Sequence, residues 1–110
     1  MIIGTFISID GIFTGRLDCL SLCADLTISA AAPSDTENAP DWRVMRGCGE
    51  AAFEVGAGWN RTGRRAGAFI AVQIDDPFLG RPIRANLVRS SADEMTHHLL
   101  WSRPSPRDKK

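Results

Sequence analysis

Short apolar runs with a period of two, cut by turn residues roughly every 8–12 positions, constrain this chain more than any other feature. Alternation of that kind puts one face of each segment in a core and the other in water, which is the pattern of antiparallel strands. The segment Ala52–Trp59 shows it, with Phe53, Val55, Ala57 and Trp59 on one face and Gly56 and Gly58 on the other. Glycine on a strand face marks a bulge or a close approach by another backbone or ring. A tight polar loop then carries Arg61, Arg64 and Arg65, with Gly63 and Gly67 as turn residues. Ala68–Asp75 returns with Ile70, Val72 and Ile74 opposite Phe69, Ala71 and Gln73, and stops at Asp75-Asp76-Pro77. Val55–Pro77 therefore reads as a hairpin with a cationic tip.

The rest of the chain repeats the theme. Ile2–Ile9 is a first strand, and Asp10-Gly11 tolerates the positive φ of a two-residue hairpin turn. A second strand runs from Ile12 to Cys19. Leu20–Ser29 places Leu20, Leu22, Ala24, Leu26 and Ile28 on one face. Ala30–Asp41 is a loop by composition, rich in Pro, Asp, Ser and Asn. Trp42–Arg46 and Ile83–Arg89 alternate again, and in the latter Ile83, Ala85 and Leu87 oppose Arg84, Asn86 and Val88. Ser90–Thr96 is a polar turn with room for one helical turn at Ser91–Met95, and His97–Ser102 closes the sheet. The expected fold is mainly β: a small antiparallel meander of about 6–8 strands, curled as a barrel or sandwich, with little helix. It occupies 1–103 as one domain, and 104–110 is a basic tail.

Composition bounds the function class. The chain has 110 residues, 44% hydrophobic and 24% charged, which is neither disordered nor membrane-like. No apolar run reaches the roughly 20 residues of a spanning helix, and the N-terminus lacks the basic region of a signal peptide. A cytoplasmic location with no membrane partner is the expectation. Cys19, Cys23 and Cys48 are an odd number, which favours free thiols. Cys19 and Cys23, placed on one strand, would stand roughly 13 Å apart at about 3.3 Å per residue, too far for a disulfide. No zinc-ligand spacing is present, so no metal and no cofactor are expected.

Net charge is zero, yet the halves differ. Residues 1–57 hold three arginines against eight acids, and residues 58–110 hold ten basic residues against five acids. Such polarity steers anionic partners. Arginine dominates the positive charge, which suits bidentate contacts to phosphate or carboxylate. The candidate contact residues are Trp59, Arg61, Arg64 and Arg65, joined by Arg84 if it converges with them: guanidinium groups grip phosphates while an indole offers a stacking plane. A solvated hairpin tip is the plainer reading. Asp75-Asp76 is a turn initiator before Pro77 rather than a metal or proton pair. His97 and His98 face opposite sides of a strand and cannot form one site. No catalytic motif appears, so a non-enzymatic role is expected.

Several segments together resemble the bacterial domain-of-unknown-function 736 family: IGTF at Ile3–Phe6, GIFTG at Gly11–Gly15, APDWRV at Ala39–Val44, VGAGWNRT at Val55–Thr62, IDDP at Ile74–Pro77, PIRANLV at Pro82–Val88 and LLWSR at Leu99–Arg103. The resemblance runs in order over roughly 3–103. It implies a small β-rich protein, commonly encoded in proteobacteria and often on plasmids or integrative and conjugative elements, with no catalytic residues to carry over. The family's loop after the tryptophan is Lys-rich, whereas this chain has Asn60-Arg61-Thr62-Gly63-Arg64-Arg65. The resemblance and the residues together point to a binding or accessory module, with a protein partner, a homodimer or a single-stranded nucleic acid as its possible ligands.

Overall fold

A computed structural model describes residues 1–19, 22–32, 35–47, 52–63, 67–75 and 81–102. Eight strands follow one another: β1 (Ile2–Ile9), β2 (Ile12–Cys19), β3 (Leu22–Ala30), β4 (Trp42–Arg46), β5 (Phe53–Gly63), β6 (Gly67–Ile74), β7 (Ile83–Arg89) and β8 (Thr96–Leu100). Each pairs antiparallel with the next, and β8 returns to β1 to close a barrel. Closure follows from the alternation. A flat meander of these strands would leave one apolar face wet, and rolling it up buries that face and removes both edges.

The inward residues form one core. Phe6, Ile28, Val44 and Leu99 are fully buried, with Leu17, Leu26, Val72 and Leu87 nearly so. An eight-stranded barrel has an interior just wide enough for side chains to fill. Phe6 takes a large share of it, and its cross-strand partner is Gly15. A Cβ on Gly15 would lie 2.7 Å from the Phe6 Cα, so that position must be bare. The β1–β2 turn has the expected geometry, with φ of 53° at Asp10 and 80° at Gly11.

Four features differ from the sequence reading. First, β5 and β6 extend to Gly63 and Gly67, so Arg61 lies within a strand opposite Phe69 rather than in the loop. Paired backbone carries the ladder further than polar composition suggested. Second, β5 carries a bulge. Val44 pairs with Gly56 and Met45 with Glu54, leaving Val55 as the extra residue. Beyond it, Gly58 and Asn60 pair with the buried Val72 and Ile70 and so face inward. Ala57 and Trp59 therefore face outward, not onto the face of Val55.

Third, Cys19 and Cys23 belong to neighbouring strands, with Asp18 opposite Cys23, so the one-strand separation does not apply. Cys23 is an exposed free thiol. Fourth, the 91–95 segment forms bends rather than a helical turn. Asp93 dictates this by accepting hydrogen bonds from the Met95 and Thr96 amides and the Thr96 hydroxyl. Among the described residues there is no helix, hence none long and apolar enough to cross a membrane. Arg64, Arg65, Cys48, Asp76, Pro77 and the 104–110 tail lie outside the described residues.

Candidate functional site

The outer wall of the barrel carries a groove of about 740 Å³ across β5–β8. Its centre is a single cross-strand row: Trp59 beside Ala71, Ala71 beside Asn86, Asn86 beside Leu100. Adjacent strands are about 4.8 Å apart, so the row spans roughly 14 Å. Ala71 is the low point, because its methyl group sits between larger neighbours. Gln73 and Arg84 pair in the next row, and Arg61 flanks Trp59 two residues along β5. Asn38 and Ser102 complete the rim.

Trp59 is held in place by the long connection between β3 and β4. Its indole Nε1–H donates to the Asn38 carbonyl at 2.9 Å. Asn38 adopts the left-handed region, φ 62°, which Asn tolerates better than most residues. The Asn60 amide donates to the Asp41 carboxylate at 2.9 Å, and the Asp41 amide to the Gly58 carbonyl at 2.9 Å. The connection is thus stitched to β5 on both sides of Trp59. The other tryptophans serve packing. Trp42 is half-buried against the core, meets Phe13 edge-on at 5.3 Å and donates to the Asn60 side chain at 2.8 Å. Trp101 also packs on the core.

Charge distinguishes this wall. Arg43 is 3.2 Å from Glu54, and Arg16 is 4.0 Å from Asp25 with its Nε 3.0 Å from the Cys23 sulfur. Those guanidinium groups are spent locally. Among the described residues no acidic side chain lines the groove. Arg84 has no ion pair among the described residues, and Arg61 gives one Nη1–H to the Asn60 carbonyl at 3.0 Å and keeps the rest. Two exposed cations, an indole and three side-chain amides therefore converge on one concave surface. That set can donate to phosphate oxygens and present a ring for stacking.

The structure brings three of the five nominated residues, Trp59, Arg61 and Arg84, onto the same groove. Arg64 and Arg65 lie outside the described residues. Sequence reasoning did not nominate Gln73, Asn86 and Asn38. The signal for two of them was present: period two puts Gln73 and Asn86 on the wet faces of their strands. For Asn38 there was none, because a loop residue reaches β5 only through tertiary folding. His97 and His98 alternate as expected, with His97 edge-on to Phe13 at 4.8 Å and His98 across from Thr5. Among the described residues no cluster of His, Cys, Asp or Glu could hold a metal ion.

An all-antiparallel eight-stranded closed barrel with a cationic, aromatic groove on its outer wall is the class of protein these observations define. The chain belongs to the family described as Protein of unknown function (DUF736), whose model matches residues 2–104. No curated protein and no solved structure matches it.

Proposed function

We propose that this protein is a non-enzymatic binding module whose outer groove takes single-stranded nucleic acid. The observation that carries the reading is the convergence of Trp59, Arg61 and Arg84 on one groove that, among the described residues, no carboxylate lines. A single strand exposes both its phosphates and its base faces. Arg61 and Arg84 would contact phosphates, Trp59 would stack a base, and Gln73 and Asn86 would hydrogen-bond base edges. Two arginines on a rigid sheet suit a strand better than a duplex, which would need a wider basic surface. Such a role suits a protein carried on mobile DNA, the setting that the family resemblance implies.

The test is fluorescence anisotropy of a labelled oligonucleotide against salt. Affinity should fall with salt by a log–log slope of about −0.7 per phosphate contacted. Arg61→Ala and Arg84→Ala should each weaken binding and flatten that slope. Trp59→Ala should cost about 1–3 kcal/mol of binding. Absence of binding at low salt, or wild-type affinity in both arginine variants, overturns the reading.

A second reading rests on apolar exposure. Ile7, Ile9, Ile12 and Met95 are exposed, and the Ser8 amide bonds to the Met95 carbonyl at 2.8 Å, which places them side by side. This patch supports a protein contact, including a homodimer. Light scattering over a concentration series decides it: a monomer mass at all concentrations counts against the homodimer.

A further inference from the structure

Inside the barrel wall, at the end where the β1–β2 turn lies, a separate pocket of about 130 Å³ is lined by Phe13, Asn60, Ile70, Leu87, Arg89 and His97. That space has room for a small ligand such as a tetrahedral oxyanion. Strand β5 separates it from the outer groove, since Asn60 faces inward and Arg61 outward.

Its chemistry is one-sided. Arg89 has only donors and no ion pair or hydrogen bond among the described residues. The Asn60 oxygen is taken by the Trp42 indole N–H at 2.8 Å, which leaves the amide NH₂ as the group free to act. His97 directs Nδ1 at the Met95 carbonyl, 3.2 Å away. A carbonyl can only accept, so Nδ1 carries a proton and Nε2 is the nitrogen left to meet a ligand. Asp93, whose carboxylate interacts electrostatically with His97, has its oxygens engaged by Met95 and Thr96. Among the described residues no carboxylate lines the pocket.

We propose that this barrel mouth is a phosphate-binding site in which Arg89 and the Asn60 amide donate to oxyanion oxygens and His97 Nε2 takes the remaining hydrogen bond. A phosphate bearing a hydroxyl donates that proton to a neutral imidazole, and a fully ionised one accepts from the protonated ring. Phe13, Ile70 and Leu87 form an apolar floor, and Asn60 and Arg89 stand exposed at the rim where an anion enters. The site stands independently of the outer groove. The phosphate is either free or the terminal group of a longer ligand, with the same chemistry in both cases.

The experiment is a titration of the isotope-labelled full chain with inorganic phosphate, followed at the Asn60 side-chain amide and the His97 ring by nuclear magnetic resonance. Saturable shifts at both groups are expected. Arg89→Gln should weaken binding about tenfold or more, the loss of a charge-assisted hydrogen bond. Asn60→Asp keeps an acceptor for Trp42 but replaces the donor with a negative charge, so it should abolish binding while the Trp42 indole signal stays in place. Arg16→Ala, which removes a guanidinium beside Asp25 on the β2–β3 wall, should bind phosphate as the parent does. No saturable shift at millimolar phosphate, or unchanged affinity in Arg89→Gln, overturns the site. A second arm compares oligonucleotides with and without a 5′-phosphate. A preference that disappears in Arg89→Gln assigns the pocket to a strand terminus, and no preference alongside phosphate binding assigns it to the free anion. Failure of all oligonucleotide binding removes the groove reading and leaves the phosphate titration decisive for the mouth.

Discussion

Gly15 and Asp93 show how single residues fix this barrel. The missing side chain at Gly15 lets the Phe6 ring lie across β2, so Gly15→Ala pushes a methyl into the Phe6 backbone. The expected loss is about 1–3 kcal/mol in a denaturant titration, the usual penalty of overpacking. Asp93 folds the β7–β8 turn through three hydrogen bonds to its carboxylate. Those bonds, first the one from the Thr96 hydroxyl and then those from the Thr96 and Met95 amides, hold its pKa below the ordinary 3.8. A depressed folded-state value means stability that is fully present above the unfolded value and is lost as pH falls through the folded one. Asp93→Asn should therefore flatten the acid limb of the stability–pH curve below about pH 4, measured by thermal melts at stepped pH. An unchanged acid limb would show that the carboxylate contributes nothing to folding.

At the scale of elements, the bulge in β5 is the decisive piece of geometry. One extra residue opposite Val44 and Met45 sets Val55 into the core and turns Trp59 to the outside. Without it, simple alternation from Val55 would send Ala57 and Trp59 inward and leave the groove without its aromatic wall. The β3–β4 connection then clamps Trp59 from above. Trp59→Phe keeps a ring but loses the N–H to Asn38. Amide exchange in the 35–41 segment should accelerate while amides of β6 keep their protection, because local opening is governed by local bonds. The global cost should be about 1 kcal/mol, that of one hydrogen bond. Uniform acceleration across β6 would mean instead that the indole supports the whole barrel.

For the whole molecule, closure by β8 on β1 is what makes the sheet self-sufficient. Removing residues from Thr96 onward would expose the edges of β1 and β7 and uncover Phe6 and Leu87. The truncated chain should lose cooperative unfolding and associate, read by calorimetry and light scattering. A sharp two-state melt from a truncated monomer would contradict a core shared by all eight strands. The meander also distributes the described arginines over the wall. Consecutive strands are neighbours, so among the described residues Arg16, Arg43 and Arg46 stand on β2 and β4 while Arg61, Arg84 and Arg89 stand on β5 and β7. Arg16 and Arg43 are paired with acids, whereas Arg46 and Arg84 have no ion pair among the described residues.

The antiparallel meander and the buried faces of β3, β6 and β7 were legible in the sequence, because period two and turn residues are local properties of the chain, while the strand count was bounded at about 6–8 and closed at eight. The Asp10-Gly11 turn and the alternation of Ile83, Ala85 and Leu87 needed no tertiary information. The outward set Gln73, Arg84 and Asn86 was legible too, although its meeting with Trp59 was not. That meeting depends on register and on the Val55 bulge, and a one-residue shift in β5 moves every later side chain to the other face. The barrel-mouth pocket was equally hidden, since Asn60, Arg89 and His97 come from three strands and converge only when the sheet closes. Local alternation determined the strands and their wet and dry faces; the bulge, the long connection and closure decided which polar residues share a surface, because those contacts join positions far apart in the chain.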